Sequence, residues 1–243
     1  MKNDYFQSPE FLKKEKLFLE KHNLVKINND ERFLTDYVPY ATKYNFCNEQ
    51  LYSHPFIYLH HYAFEKLQLA SELAKEKGLK LRIWDAYRPF KVQAYMAETF
   101  PEHVAEGYVS HPREGVATHV RGIAIDLTLV DKNGKELDMG TGFDEMSEKS
   151  HHGSKAIQES NKKAQKNRQI LAEIMEKSGF QIYENEWWHY NLEIFEFDEK
   201  GEIIGAKSDA NIKYPKIPED EFLDLLALAV KKIFRRIFKG KKI

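Results

Sequence analysis

The sequence predicts an α+β domain, and three observations predict it. Segments 79–84, 122–130 and 180–197 carry the alternating or β-branched and aromatic pattern of strands, whereas 58–77 and 161–178 place apolar residues at helical spacing. The helices are grouped around runs of strands, which favours segregated layers. With 243 residues, 42% apolar and 13% aromatic, the chain can bury a sizeable core in one domain with appendages.

In order along the chain, residues 9–22 mix Phe11, Leu12, Leu17 and Phe18 with Lys and Glu, as in a short amphipathic helix within an N-terminal helical arm, 1–32. The aromatic-rich stretch 33–46 has no period. The spacing of Leu59, Tyr62, Ala63, Leu67, Ala70, Leu73 and Ala74 predicts a helix over 58–77, ended by Gly78. A strand over 79–84 stops at Asp85-Ala86-Tyr87-Arg88-Pro89, and a helix over 90–99 leaves Arg88 at the strand-to-helix turn. Ile123, Ala124, Ile125, Leu127 and Leu129 predict a strand with Asp126 inside it, and Asp131 to Gly134 is a turn expected to return a hairpin partner. Ile170, Leu171, Ile174 and Met175 share a helical face over 161–178, and 180–197 supplies more strand.

The main domain is thus expected over 33–200, with a linker over 201–218. Residues 219–243 then change character: Phe222, Leu223, Leu226, Ala229, Val230, Ile233, Phe234, Ile237 and Phe238 recur at helical spacing, and seven of the last thirteen residues are Lys or Arg. Such a basic amphipathic helix is too short in its apolar part to span a bilayer. It can associate peripherally with an anionic membrane, or dock on the domain or on a second copy.

Thirty-seven basic against thirty-eight acidic side chains give a formal charge of -1, so no overall field attracts nucleic acid. The aromatics Tyr183, Trp187, Trp188 and Tyr190 lack the basic interleaving of a base-stacking platform and are expected as core and pocket wall. A lone Cys47, with no CxxC, leaves neither an internal disulfide nor a structural zinc finger. The first residues lack the apolar stretch of a secretory signal, and no apolar run approaches the roughly 18 residues of a spanning helix, so a cytoplasmic chain is expected.

Two spaced pairs carry the chemistry: His119 with Asp126 seven residues beyond it, and Glu186 with His189 three residues beyond. They supply two imidazoles, one carboxylate ligand and a spare carboxylate. Catalytic zinc usually takes three protein ligands and keeps one position for water, on which a spare carboxylate can act. Convergence requires a bend at Gly122, and a kink near Trp187-Trp188, because an offset of three on a regular strand points two side chains to opposite faces. Singly, each His could be an ordinary hydrogen-bonded residue. The adjacent pairs His60-His61 and His151-His152 point their rings apart and are not expected to share a metal.

The flanks of these pairs bring a resemblance. Thr118-His119-Val120-Arg121-Gly122-Ile123-Ala124-Ile125-Asp126 with Glu186-Trp187-Trp188-His189-Tyr190 resembles the D-alanyl-D-alanine dipeptidases of the VanX type, zinc peptidases related to the VanY-type carboxypeptidases. Trp84 to Pro89, Gly142 to Met146, Ser150 to His152, Asn167-Arg168 and Ser178 to Phe180 recur in the same order, so the likeness covers about residues 36–195. It implies a central antiparallel sheet with flanking helices, the hedgehog/DD-peptidase-like fold. It also implies one Zn2+ held by His119, Asp126 and His189, with Glu186 as the general base for a metal-activated water. Arg88 resembles the transition-state arginine, Tyr40 and Asp144 the groups that hold a free ammonium, and Thr118 stands beside the substrate. Ala117 departs from the Ser common two positions before the first ligand, which puts the grip on the substrate carboxylate in question.

The expected activity is hydrolysis of a small D,D-dipeptide, D-Ala-D-Ala in the family. The alternatives are a D,D-carboxypeptidase or endopeptidase on peptidoglycan stem peptides, and a non-catalytic metal-binding module working through its C-terminal helix. A carboxylate at Asp144 that captures a free ammonium separates the first two.

Overall fold

The computed structural model describes residues 5–113, 117–197, 203–206 and 215–218. The basic amphipathic segment expected over 219–243 lies outside the described residues.

Amphipathic helix α1, Pro9–His22, opens with Ser8 accepting from Phe11 N and closes at Asn23 in the left-handed region. Strand β1, Leu24–Ile27, pairs antiparallel with β3, Ile57–His60. Helix α2 then runs His61–Glu76. The first residues of the expected helix are therefore strand, because Tyr58 to His60 pair with β1 and the His60 side chain accepts from Tyr62 N to start the helix one step later. Strand β4, Lys80–Asp85, leads through Arg88 into helix α3, Phe90–Thr99, and the short α4, Pro101–Ala105.

A 3-10 turn, Thr118–Arg121, precedes strand β5, Ala124–Val130. Helices α5, Lys155–Ser160, and α6, Lys162–Lys177, lead to β6, Phe180–Tyr183, and β7, Glu186–Leu192. Strands β8, Phe195–Phe197, and β9, Ile203–Ala206, form a separate antiparallel pair, so part of the stretch expected as linker is strand. The turn after β5 forms as expected, with Gly134 N bonded to Asp131 O, but its return is one bridge from Val130 to Glu136.

The main sheet has the order β2-β4-β5-β7-β6, where β2 is Phe33–Leu34. All its pairs are antiparallel except the short edge pair β2 with β4. Strand β5 is buried along its whole length at the centre, with Ile125, Leu127 and Leu129 in the main core. Helices α2 and α6 pack on each other and on strands of this sheet, and Leu67 and Leu171 join that core. Period-two alternation sends Asp126 to the face opposite Ile125 and Leu127.

A second, smaller core holds Phe11, Phe18, Leu24, Tyr58, Tyr87 and Ile217. It gathers α1, the β1-β3 pair, the residue before Arg88 and the returning segment 215–218.

Candidate active site

Register places the first pair of site residues. Asp126 on β5 stands directly across from His189 on β7, the arrangement in which cross-strand side chains meet. Their atoms do meet, with His189 Nδ1 3.0 Å from Asp126 Oδ1. The kink required for Glu186 is present in the β6-β7 pairing. Ile182 faces Tyr190 but the next residue, Tyr183, faces Glu186, so Trp187 to His189 are extra residues on β7. That irregularity brings Glu186 Oε2 to 3.7 Å from His189 Nδ1.

His119 arrives from the 3-10 turn. The turn is entered by Ala117 at φ 42° and left by Gly122 at φ 68°, both left-handed. A Cβ on Gly122 would lie 2.9 Å from Leu24 Cδ2 and 3.3 Å from His60 N, so glycine is required there for φ and for space. His119 Nε2 ends 3.2 Å from His189 Nδ1 and 3.4 Å from Asp126 Oδ2. Among the described residues, His119, Asp126 and His189 gather ligand atoms within 4.8 Å of one another.

The donor set fits a cation. His119 Nδ1 bonds the carbonyl of Ala86, which can only accept, and His189 Nε2 lies 2.9 Å from Asn191 Oδ1, also an acceptor. Each ring must therefore carry its proton on the outer nitrogen and turn a lone pair inward. Two lone pairs and a carboxylate then share one small space, and a metal ion is what reconciles them. All three residues are buried. Burial opposes ionisation of Asp126, but the charge and hydrogen bonds that His119 and His189 offer when the inner nitrogens carry protons outweigh it and hold the carboxyl well below the usual range. With lone pairs turned inward, a bound cation would take over that role.

Arg88 reaches the same space from the β4-α3 turn, whose backbone is tied to the metal-facing turn by Arg88 N to His119 O, 3.1 Å. Its guanidinium donates from Nε and Nη2 to Asp85 Oδ2 at 3.0 and 2.9 Å, and from Nη1 to Gln93 Oε1 at 2.9 Å. Tyr52 donates to the other oxygen of Asp85, 2.8 Å, and Gln93 donates to Ser110 O, 2.7 Å. Nη2 is 3.5 Å from Asp126 Oδ2. The guanidinium is thus immobilised at the edge of the ligand cluster.

Asp144 sits at φ 60° in the loop before α5 and accepts from Tyr40 OH on Oδ1, 2.9 Å. Its other oxygen, Oδ2, is buried without a partner among the described residues. Burial first, and the negative Asp126 second, push this carboxyl up to about 8. The loop is held by Arg168 on α6, which donates to Met139 O, Lys149 O, His151 O and Thr141 Oγ1. Glu186 is likewise raised well above the carboxylate range by burial, then by Asp126 and Asp144.

A cavity of about 210 Å3 joins these groups, lined by Tyr40, Arg88, Asp144, Glu186 and the three clustered ligand residues, with Thr118 and Ala117 also on its wall. It is smaller than the ~300–1,000 Å3 pockets that take drug-sized ligands. Every sequence-selected residue is therefore in one place. The histidines set aside stay out of the cluster: His151 Nε2 contacts Tyr108 OH at 3.1 Å, and His152 packs its ring on Tyr190. Sequence reading assigned no role to Asp85, Gln93 or Asn191. For Asn191 a signal existed, since two residues beyond His189 on a strand is the same face. Gln93, inside a helix, offered none.

Comparison with known proteins agrees with this geometry. Residues 19–200 match the family model Peptidase_M15, described as D-ala-D-ala dipeptidase. The chain is 40% identical over 153 residues to a D-alanyl-D-alanine dipeptidase of Escherichia coli (strain K12), covering 63% of this chain and 76% of that protein. It is 39% identical over 143 residues to one of Enterococcus faecium, covering 53% and 69%. An overlay on the solved LdcB LD-carboxypeptidase, 20% identical and covering 76% of this chain and 71% of that one, has a TM-score of 0.35, so the fold rests on the strand register above. Matched over most of its length, the chain belongs to the D-ala-D-ala dipeptidase family of M15 peptidases.

Proposed function

We propose that this protein is a zinc-dependent D,D-dipeptidase whose substrate is D-Ala-D-Ala, with His119, Asp126 and His189 holding the zinc. The observation that carries the dipeptide reading is the unpartnered Asp144 Oδ2 beside the ligand cluster in a small cavity. A buried carboxylate oxygen without a donor is costly, and a substrate ammonium supplies the missing charge-assisted bond. Tyr40 orients that carboxylate from its other side.

Zinc at the triad supplies Lewis acidity, which lets water attack the peptide carbonyl at neutral pH. Glu186 takes the proton released by the attacking water and hands it to the leaving amine. A carboxyl raised by burial and by neighbouring carboxylates is suited to holding that proton between the two transfers. Arg88 faces the oxygen that becomes negative during attack. Because Asp85 and Gln93 already fix its fork, no reorganisation is needed when the charge develops. Lysine could not reproduce this planar, multiply anchored arrangement. Thr118, on the cavity wall beside Ala117, is the hydroxyl nearest in sequence to the missing Ser and is assigned to the substrate.

The test is hydrolysis of D-Ala-D-Ala, N-acetyl-D-Ala-D-Ala and a stem pentapeptide by the zinc-loaded protein. Cleavage confined to the free dipeptide is expected. Release of D-Ala from the pentapeptide alone would overturn the reading in favour of a carboxypeptidase.

A further inference from the structure

The turn that carries His119 is braced from behind by a segment outside the matched family region. Its backbone acceptors are distributed among several elements: His119 O takes Arg88 N, Gly122 O takes His60 N at 2.7 Å, and Val120 O takes Ile217 N at 3.0 Å. Ile217 is nearly 100 residues from Val120 in sequence, a separation of about 97 by subtraction of their numbers. Its side chain is 4% exposed and packs in the second core with Phe18, Leu24, Tyr58 and Tyr87. Next to it, Lys216 Nζ donates to Pro112 O at 2.8 Å. The family match ends at residue 200.

We infer that Ile217 is a positioning residue for His119, clamping the metal-facing turn through Val120 O and the second core. The inference rests on the zinc reading proposed above.

The physical need is visible in the turn itself. Ala117 at φ 42° adopts a conformation that L-residues avoid and only glycine takes readily, so the turn is not held by local preference. Only one 3-10 turn separates Ala117 from Gly122, and Val120 lies before β5, which begins at Ala124, so the described sheet ladder does not engage its carbonyl. The Ile217 N–H supplies that partner. The same side chain shares its core cluster with Tyr87, which precedes Arg88, and with Leu24, whose Cδ2 would lie 2.9 Å from a Cβ on Gly122. Ile217 thus ties the residue next to His119 to the second core.

The test compares zinc affinity of the full-length metal-free protein by chelator competition, with thermal unfolding measured in parallel. The variants are Ile217→Ala, Ile217→Val and His119→Ala, with Ile174→Ala and Ile174→Val as controls in the main core, where Ile174 is 1% exposed. Ile217→Ala is expected to weaken zinc by about tenfold or more, in the range seen when groups that orient metal ligands are removed. Ile217→Val should recover most of the affinity. Ile174→Ala should lose thermal stability without losing affinity. Equal affinity in wild type, Ile217→Ala and Ile174→Ala overturns the inference, as does an equal loss in the two alanine variants. Should Ile217→Ala not fold, the two valine variants give the same contrast at smaller amplitude. If instead His119→Ala binds zinc as wild type does, the metal-site reading fails and takes the brace with it, a result distinct from equal binding by Ile217→Ala alone.

Discussion

Two halves of the site are built by different means. Asp126, His189 and Glu186 stand on β5 and β7, where a hydrogen-bonded ladder and full burial fix the backbone. His119, Arg88 and Asp144 stand on turns, fixed by single backbone bonds, left-handed residues and side-chain ties from elsewhere. Sheet-borne groups are placed to the accuracy of a register. Turn-borne groups are placed only as well as their most remote support, so changes far from the chemistry should reach them. Loops that carry function on a rigid scaffold are common, and here one site uses both arrangements.

The largest effect is expected on the sheet side, where removing a side chain should remove its chemistry and leave the placement of its neighbours intact. Glu186→Ala is expected to keep zinc while turnover falls by about 10² to 10⁴, the usual worth of acid-base catalysis. Metal analysis alongside steady-state hydrolysis of D-Ala-D-Ala checks both parts. Loss of zinc together with turnover would mean that even the ladder does not hold the ligands independently.

Asn191→Ala comes next. Asn191 fixes the His189 ring through a 2.9 Å contact and stands on the same strand, so the ladder remains and only the ring's orientation and tautomer are released. Zinc affinity should fall by about 10- to 100-fold, and the metal-free protein should lose about 1–3 kcal/mol because the buried His189 Nε2–H loses its acceptor. An unchanged affinity would show that sheet register alone orients His189.

On the turn side, Gly122→Ala adds a left-handed alanine, at a cost of about 1–2 kcal/mol, and a Cβ pressed on Leu24 and the His60 backbone. A change made three residues from His119 should therefore lower stability and zinc affinity together. If unfolding shifts but affinity does not, the turn is stiffer than its supports imply.

The same division explains what the sequence disclosed. His119, Asp126, Glu186 and His189 are legible as the ligand set and spare carboxylate of a zinc site, and through the family resemblance of their flanks; strand parity then requires one glycine bend and one kink for them to converge. The kink at Trp187 to His189 was a requirement of parity before it was an observed register shift. Turn-borne supports left weaker marks. Asp85 stands in the Trp84 to Pro89 segment with no spacing that ties it to the cluster, and neither the left-handed Ala117 nor the bond from Ile217 to Val120 has a local pattern. Tyr58 to His60 of strand β3 also fit, through Leu59, the helical spacing of the residues that follow, and only pairing with β1 separates strand from helix. Short apolar runs are ambiguous in this way until a partner is known.

The smallest effect concerns Asp144, the turn-borne carboxylate. Its folded pKa of about 8 lies above the roughly 3.9 of an unfolded Asp. Between about pH 4 and pH 8 the unfolded chain has released this proton while the folded protein keeps it, so the folded state binds more protons and stability falls as pH rises. The contribution is fully present below pH 4 and is lost by the time pH passes 8. Asp144→Asn removes that slope, and it also lowers the raised carboxyl of Glu186, to which Asp144 contributes with the same sign. Urea unfolding of the metal-free proteins should therefore show wild type losing stability relative to Asp144→Asn across this window. Parallel curves would break the claim that Oδ2 is held without a partner. A dipeptide ammonium placed against Asp144 would favour the charged carboxylate, so binding at pH 7 should release a proton, measurable as a buffer-dependent heat. That release follows from a site built to leave one carboxylate oxygen waiting for a cation, and N-acetylation of the dipeptide should abolish it.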